Sequence, residues 1–421
     1  MKVLWFEVTI PGRYKGDDAI LGGWQDSLER IVRTVSDIDL TIAFEDQTHN
    51  IEKIIDGVRY IPIKLEYTRK EKKSAQTSWD INAKKLIPAM MKIITDIEPD
   101  IIHVFGTEWP FGLIARHTEI PVVVHIQGAI VPFNNALYPP RYSIVDVLRN
   151  VGWKHPRKIK ETWDHYLYDM SRESVEREVW RNVENYMGRT EWDKGLSAVM
   201  HPDRKYFHVE EALRHVFTTG DYVWNGIEKK KIKLLSTGCI SFRKGPEMML
   251  KTAHILKTIG MDFEWNVAGI LPWDIQQVVE KKERLSFDDC NIRFHGFVSG
   301  NKVLEMLCDT TLFIHTSYAE NSPNSICEAQ CIGVPVIATN VGGVSSLVSD
   351  SKDGILVPSN DPWMMAYQIQ ALVTDKARLV SYSENSRKKA LERHNDENIK
   401  KQLMYCYNTI INGKASHKDN A

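Results

Sequence analysis

Short runs of Val, Ile, Leu and Phe recur along this chain, with amphipathic stretches between several of them. Lys2 to Val8, Leu40 to Phe44, Tyr60 to Ile63, Ile101 to Phe105 and Val122 to His125 read as buried strands. Trp24 to Val35 and Ile81 to Ile97 read as helices between them. Near-continuous apolar strands alternating with helices are the mark of a parallel sheet covered on both faces. The rhythm restarts after Val223-Trp224-Asn225-Gly226. Strands are expected within Leu234 to Gly238, Glu264 to Gly269, Asn291 to His295, Leu312 to His315, Val336 to Thr339 and Ile355 to Val357. The length, 421 residues, is too great for one ordinary core and agrees with two sheets. The expected fold class is therefore α/β, with two Rossmann-like parallel-sheet domains. The first spans 1–225, the second 226–395.

One segment breaks the alternation. From about Phe133 to Asn182 the chain is helical in character, with many aromatic and charged residues and a cluster of Lys154, Arg157, Lys158 and Lys160. It reads as a solvated helical hairpin, or as a surface for an acceptor or a membrane. Arg69-Lys70-Glu71-Lys72-Lys73 carries the same ambiguity.

Charge and cysteine usage exclude several classes. A formal net charge of −1 does not suit a general nucleic-acid binder. No apolar run approaches the length of a membrane span, and the first residues lack the apolar core of a secretory signal, so a cytoplasmic address is expected. The six cysteines form no C-x-x-C pair, which argues against zinc. Cys327 and Cys331 share a helix face and read as small buried side chains. Asp37-x-Asp39 is similar to a metal-binding D-x-D but precedes its strand, so it reads as a solvated turn; no metal or cofactor is expected.

In open α/β sheets, ligands lie beyond the carboxyl ends of the strands. Glu320 follows the strand ending at His315, and Glu328 stands eight positions later. The helix expected to open at Ser325-Ile326-Cys327-Glu328 would offer free N–H groups to a phosphate. Glu328 in its first turn would reach a ribose diol. Taken alone, Ser325-x-x-Glu328 also reads as a capping box. Gly238 to Gly245 contains Arg243 and Lys244, adjacent cations suited to a diphosphate. In the first domain, Gly22-Gly23 would let backbone approach a ligand closely. His125, at the end of a strand, reads equally as a core residue or a functional one.

Together these residues resemble the retaining glycosyltransferases of family 4, which have the GT-B fold with two domains facing each other across a cleft. Glu320 and Glu328 stand as that family's E-x7-E pair. Gly333-Val334-Pro335-Val336, Val341-Gly342-Gly343, Asp353-Gly354-Ile355-Leu356-Val357 and Phe294-His295-Gly296-Phe297-Val298 match its neighbouring blocks. Gly188-Arg189-Thr190-Glu191-Trp192-Asp193 is similar to a tract of some bacterial surface-polysaccharide transferases.

The resemblance implies a nucleotide-diphosphate sugar donor and a glycan or lipid-linked saccharide acceptor, in polysaccharide biosynthesis. It implies that Glu328 binds ribose, Glu320 contacts the donor sugar, and Lys244 with Arg243 neutralises the leaving diphosphate. Amides near Ser325 and Ile326 and the Gly22-Gly23 loop would hold phosphates, His125 would meet the sugar, and backbone at Phe297 and Val298 the base. A C-terminal helix at about 396–413 would complete the first domain. Cys239, where many relatives carry arginine, shifts phosphate charge onto Lys244 and Arg243. A sugar-nucleotide-binding protein without transfer activity is the competing reading.

Overall fold

In the computed structural model, residues 1–16, 23–152, 155–226, 231–238 and 241–418 are described, with side chains to 413. The chain forms two compact units. The first comprises Met1–Asn134, Lys160–Ala212 and Asn395–Ala421; the second comprises Asn135–Ile159 and Leu213–His394.

The first unit holds an eight-stranded sheet in the order β3-β4-β2-β1-β5-β6-β7-β8. Its strands are β1 (Lys2–Glu7), β2 (Asp39–Glu45), β3 (Lys53–Ile55), β4 (Val58–Ile63), β5 (Ile101–Phe105), β6 (Val122–His125), β7 (Asn185–Gly188) and β8 (Lys205–His208). Only β3, on the edge, runs antiparallel to its neighbour. β1, β2, β5 and β6 are buried almost throughout, because helices cover both faces. Leu4, Phe6, Ile102 and Val104 pack into one core, and Val3, Trp5, Ile101 and Phe105 into the other, as alternation along a strand requires. The C-terminal helix Asp396–Lys418 lays Ile399, Leu403, Cys406, Tyr407 and Ile410 into the second of these cores.

The second unit holds a six-stranded sheet, all parallel, in the order β11-β10-β9-β12-β13-β14. Its strands are β9 (Ile232–Thr237), β10 (Phe263–Ala268), β11 (Ile292–Phe294), β12 (Leu312–His315), β13 (Val336–Thr339) and β14 (Ile355–Val357). Strand order reverses between β9 and β12. The crevice for a ligand in such a sheet lies at that reversal, beyond the strands' carboxyl ends. Cys327 and Cys331 are fully buried, one turn apart on the helix Asn324–Ile332.

Contacts divide the chain earlier than the seam expected near Val223 to Gly226. Phe217 and Trp224 join the core of the second unit, and Trp224 Nε1 donates to Thr310 O at 2.8 Å. The charged segment after Phe133 is also not one hairpin. Its helix Ile144–Val151 packs with the second unit, through Lys282 on Asp146 (2.7 Å) and Tyr142 Oη on Glu283 (2.6 Å). The long helix Pro156–Asn182 buries Val175, Glu176, Val179 and Trp180 in the first. Lys154 lies outside the described residues.

Candidate active site

The loops after β9 and β12 are laced together in the second unit. Phe242 is buried against Tyr138 and Tyr142, with ring centroids 5.6 and 5.7 Å away, which anchors the short 3-10 turn Phe242–Lys244. Thr316 Oγ1 donates to Lys244 O (2.8 Å), and Tyr318 N donates to Arg243 O (2.8 Å). Gly245 ends the turn at φ +70°, where a Cβ would come 2.1 Å from Thr316 O. Only glycine fits there.

This lacing delivers Lys244 to Glu320. Lys244 Nζ donates to Glu320 Oε1, and Ser317 Oγ donates to the same oxygen at 2.8 Å. Arg243 Nη1 donates to Ala319 O (2.7 Å) and lies 3.7 Å from Glu320 Oε2. Burial alone would push the Glu320 carboxyl up. The Lys244 charge, then His315 and Arg243, outweigh it and hold the group well below the usual carboxylate range. Glu320 is therefore an ionised carboxylate, 6% exposed, beside two cations.

The glycine pair downstream holds this loop in place. Gly342 has φ +52°, and a Cβ there would lie 1.7 Å from Glu320 O. Gly343 N donates to the same carbonyl at 3.2 Å. The pair thus serves close backbone approach to Glu320.

Glu328 departs from its expected position. Its helix begins at Asn324 with Pro323 as N-cap and no side-chain cap, so Glu328 lies past the first turn and the Ser325 capping box does not form. Instead Arg214 grips Glu328, Nε to Oε1 at 2.8 Å and Nη2 to Oε2 at 2.7 Å. Burial raises the carboxyl from its ordinary value, and Arg214 opposes the shift. The Ile326 amide bonds back to Pro323 O (3.0 Å), which leaves it less available to a ligand than expected. Phe297 is 68% exposed just past β11, and Val298 is half-buried.

In the first unit, His125 ends β6 fully buried. Neither ring nitrogen has a hydrogen-bond partner among the described residues. Its ring meets Trp24 at 4.9 Å and His103 at 5.4 Å between centroids. Burial, then the fields of His103 and Arg189, push its pKa well below the ordinary histidine value, so the ring is neutral. Gly23 is the N-cap of the helix Trp24–Val32, and its amide donates to Asp26 Oδ2 at 3.0 Å. Gly22 and Cys239 lie outside the described residues. Among the described residues, no group of three or more His, Cys, Asp or Glu is placed to hold a metal ion. No described helix is long and apolar enough to cross a membrane.

Three functional candidates escaped the sequence reading. Arg214 has no local signal, because its partner lies 114 positions away. Arg189, buried with Nη1 on Ile126 O (3.0 Å) and Nε 3.1 Å from Glu211, stood inside the Gly188–Asp193 tract without an assigned role. His315, 3.5 Å from Glu320, was read only as the end of a strand.

Two parallel sheets, the second with its charged residues at the order reversal, define the GT-B class of α/β proteins. Sucrose-phosphate synthase from Thermosynechococcus elongatus superposes with a TM-score of 0.72 at 16% identity, covering 98% of this chain and 100% of the other. Anabaena HepE, in a complex with UDP and glucose, does so with a TM-score of 0.64 at 13% identity, covering 97% and 100%. In sequence, the family model "Glycosyl transferases group 1" matches residues 224–389, and "Glycosyl transferase 4-like" matches 29–148. The chain thus has the GT-B fold, and both of its halves match glycosyltransferase family models.

Two curated relatives point to the surface-polysaccharide type. The putative colanic acid biosynthesis glycosyltransferase WcaL of Salmonella typhimurium is 28% identical over 42% of this chain and 45% of its own length. The capsular polysaccharide biosynthesis glycosyltransferase CapM of Staphylococcus aureus is 25% identical over 44% of this chain and 50% of its own. The matches thus span about half the length of these relatives.

Proposed function

We propose that this protein transfers a sugar from a nucleotide-diphosphate donor to a hydroxyl of a glycan or lipid-linked saccharide, in polysaccharide biosynthesis, with anomeric configuration retained. The observation that carries this reading is the cluster of Lys244, Arg243 and ionised Glu320 where strand order reverses between β9 and β12.

As the C1–O bond of the donor breaks, negative charge grows on the departing phosphate. Lys244 and Arg243 stabilise that charge more in the transition state than in the ground state. The first amides of the helix Asn324–Ile332, Ser325 among them, add partial positive charge. Glu320 contacts the donor sugar, Glu328 the ribose, and the exposed Phe297 with Val298 the base. Neutral His125 offers the sugar one donor and one acceptor, with Gly23 adjoining Trp24, whose ring meets that of His125. The leaving phosphate assists loss of the acceptor's proton, and no residue of the chain is assigned as a nucleophile. No metal or other cofactor is needed, because fixed cations carry the phosphate charge. The complexes of HepE with UDP and glucose and with UDP-glucose support the donor class. The reading implies a cytoplasmic protein, at the membrane's inner face where the acceptor is lipid-linked.

A thermal-shift panel of UDP, GDP and ADP tests the donor site. Ligand at about 100 times its dissociation constant adds roughly 2.7 kcal/mol, a shift of several degrees. Absence of a shift with all three overturns the assignment.

A further inference from the structure

Glu328 is held along one edge. Arg214 donates to both carboxylate oxygens, so the side-on fork is bidentate. Two contacts fix the guanidinium in turn. The Phe217 ring lies beneath it, 4.7 Å from its centre to the ring centroid. Gly300, which opens the helix Gly300–Cys308, leaves the space it fills: a Cβ there would come 2.8 Å from Arg214 Nη1. An ionised carboxylate offers about four lone-pair sites. The fork takes two, and the other edge keeps one on each oxygen. Two acceptors side by side match two hydroxyls on neighbouring carbons.

We propose that Arg214 is a positioning residue of the nucleotide subsite: it grips one edge of Glu328 so that the other edge stands fixed for a vicinal diol, the ribose of the donor. This rests on the reading of Glu328 as the ribose ligand. The opposite role, a cation that competes with the ligand for Glu328, predicts the reverse sign in the same measurement.

The test is calorimetric titration of the full chain with UDP, GDP and ADP, following whichever binds most tightly, from pH about 8.5 down to about 5.5. Arg214→Met is expected to bind that nucleotide roughly 10-fold more weakly at the high end, the scale of one charge-assisted hydrogen bond. Its affinity should then fall further, at a higher pH than in the wild type, since Glu328 has lost the charge that opposed its protonation. Glu328→Gln should lack that transition, and the double variant should bind no worse than Glu328→Gln alone. The nucleotide's own phosphate titration is common to every variant and drops out of the comparison. If Arg214→Met does not fold, Arg214→Lys, which keeps the charge and loses the fork, should weaken binding about 3-fold. Gly300→Ala, which pushes the fork aside, should act in the same direction. Unchanged or tighter binding in the folded Arg214 variants overturns the positioning role and leaves the donor site standing. A wild type that binds none of the three overturns the ribose assignment and this inference with it.

Discussion

The two units bury ionisable groups in different ways. After β9 and β12, buried carboxylates have cations beside them: Lys244 on Glu320, Arg214 on Glu328. In the first unit, burial dominates. His103 is pushed down to about 3 and His125 well below its ordinary value, while burial raises Glu108 and carries Glu176 up to about 7. A charged ligand finds organised partners in the second unit. The first unit presents neutral histidines and carboxyls raised by burial, which suit the hydroxyls of a sugar more than a phosphate. The difference is clearest where pairing differs: the Lys244 charge holds Glu320 ionised, while His103 and His125, buried without a counter-ion, give up their charge.

The largest expected effect tests how rigidly each site is held. Gly342→Ala would drive a Cβ into the Glu320 carbonyl, a backbone atom that cannot swing aside, and should cost about 4 kcal/mol or more in denaturant unfolding. Gly128→Ala, in the first unit, meets only side chains, Glu108 Oε1 and Phe133 Cε2 at 2.6 Å. Its cost should be about 1–3 kcal/mol. Equal costs would erase the contrast.

Next comes Lys244→Met, expected to lower turnover by roughly 10²–10³, as loss of one transition-state electrostatic donor does. Near-normal turnover in the folded variant would remove Lys244 from the phosphate site. A smaller effect is pH-dependent. The folded His103 pKa lies near 3, below the ~6.5 of an unfolded histidine. Its contribution to stability is whole above pH ~6.5 and fades as pH falls toward 3, because the unfolded chain takes up the proton first. The stability gap between wild type and His103→Gln, from urea unfolding, should therefore shift by about 2 kcal/mol against the wild type between pH ~7 and ~5. Glu320, held low, sheds its contribution only below the usual carboxylate range, so its gap to Glu320→Gln should stay flat over that interval. Smallest of all is Arg30→Ala. The Arg30–Asp396 bridge, 2.7 Å long with both side chains over a third exposed, should contribute less than about 1 kcal/mol.

Much of this was legible from residue order. The apolar runs marked β1, β2, β5, β6 and most strands of the second unit, since strands covered on both faces need continuous apolar sequence. β7 and β8, Asn185–Gly188 and Lys205–His208, were not marked; they are short and mixed in polarity, and neighbouring strands rather than their own pattern define them. The spacing of Glu320, Glu328 and the Gly342-Gly343 pair pointed to the candidate site. It suggested a capping box for Glu328, and an arginine from a distant loop took that carboxylate instead.

Sequence by itself determined the two-sheet α/β plan and the acids and cations of the second sheet, because local pattern sets strands, helices and the loops between them. Tertiary structure decided the charge states and the partners: Arg214 on Glu328, a neutral His125, and Gly342 against the Glu320 backbone. Those depend on burial and on contacts between residues far apart in the chain, and no local pattern encodes either.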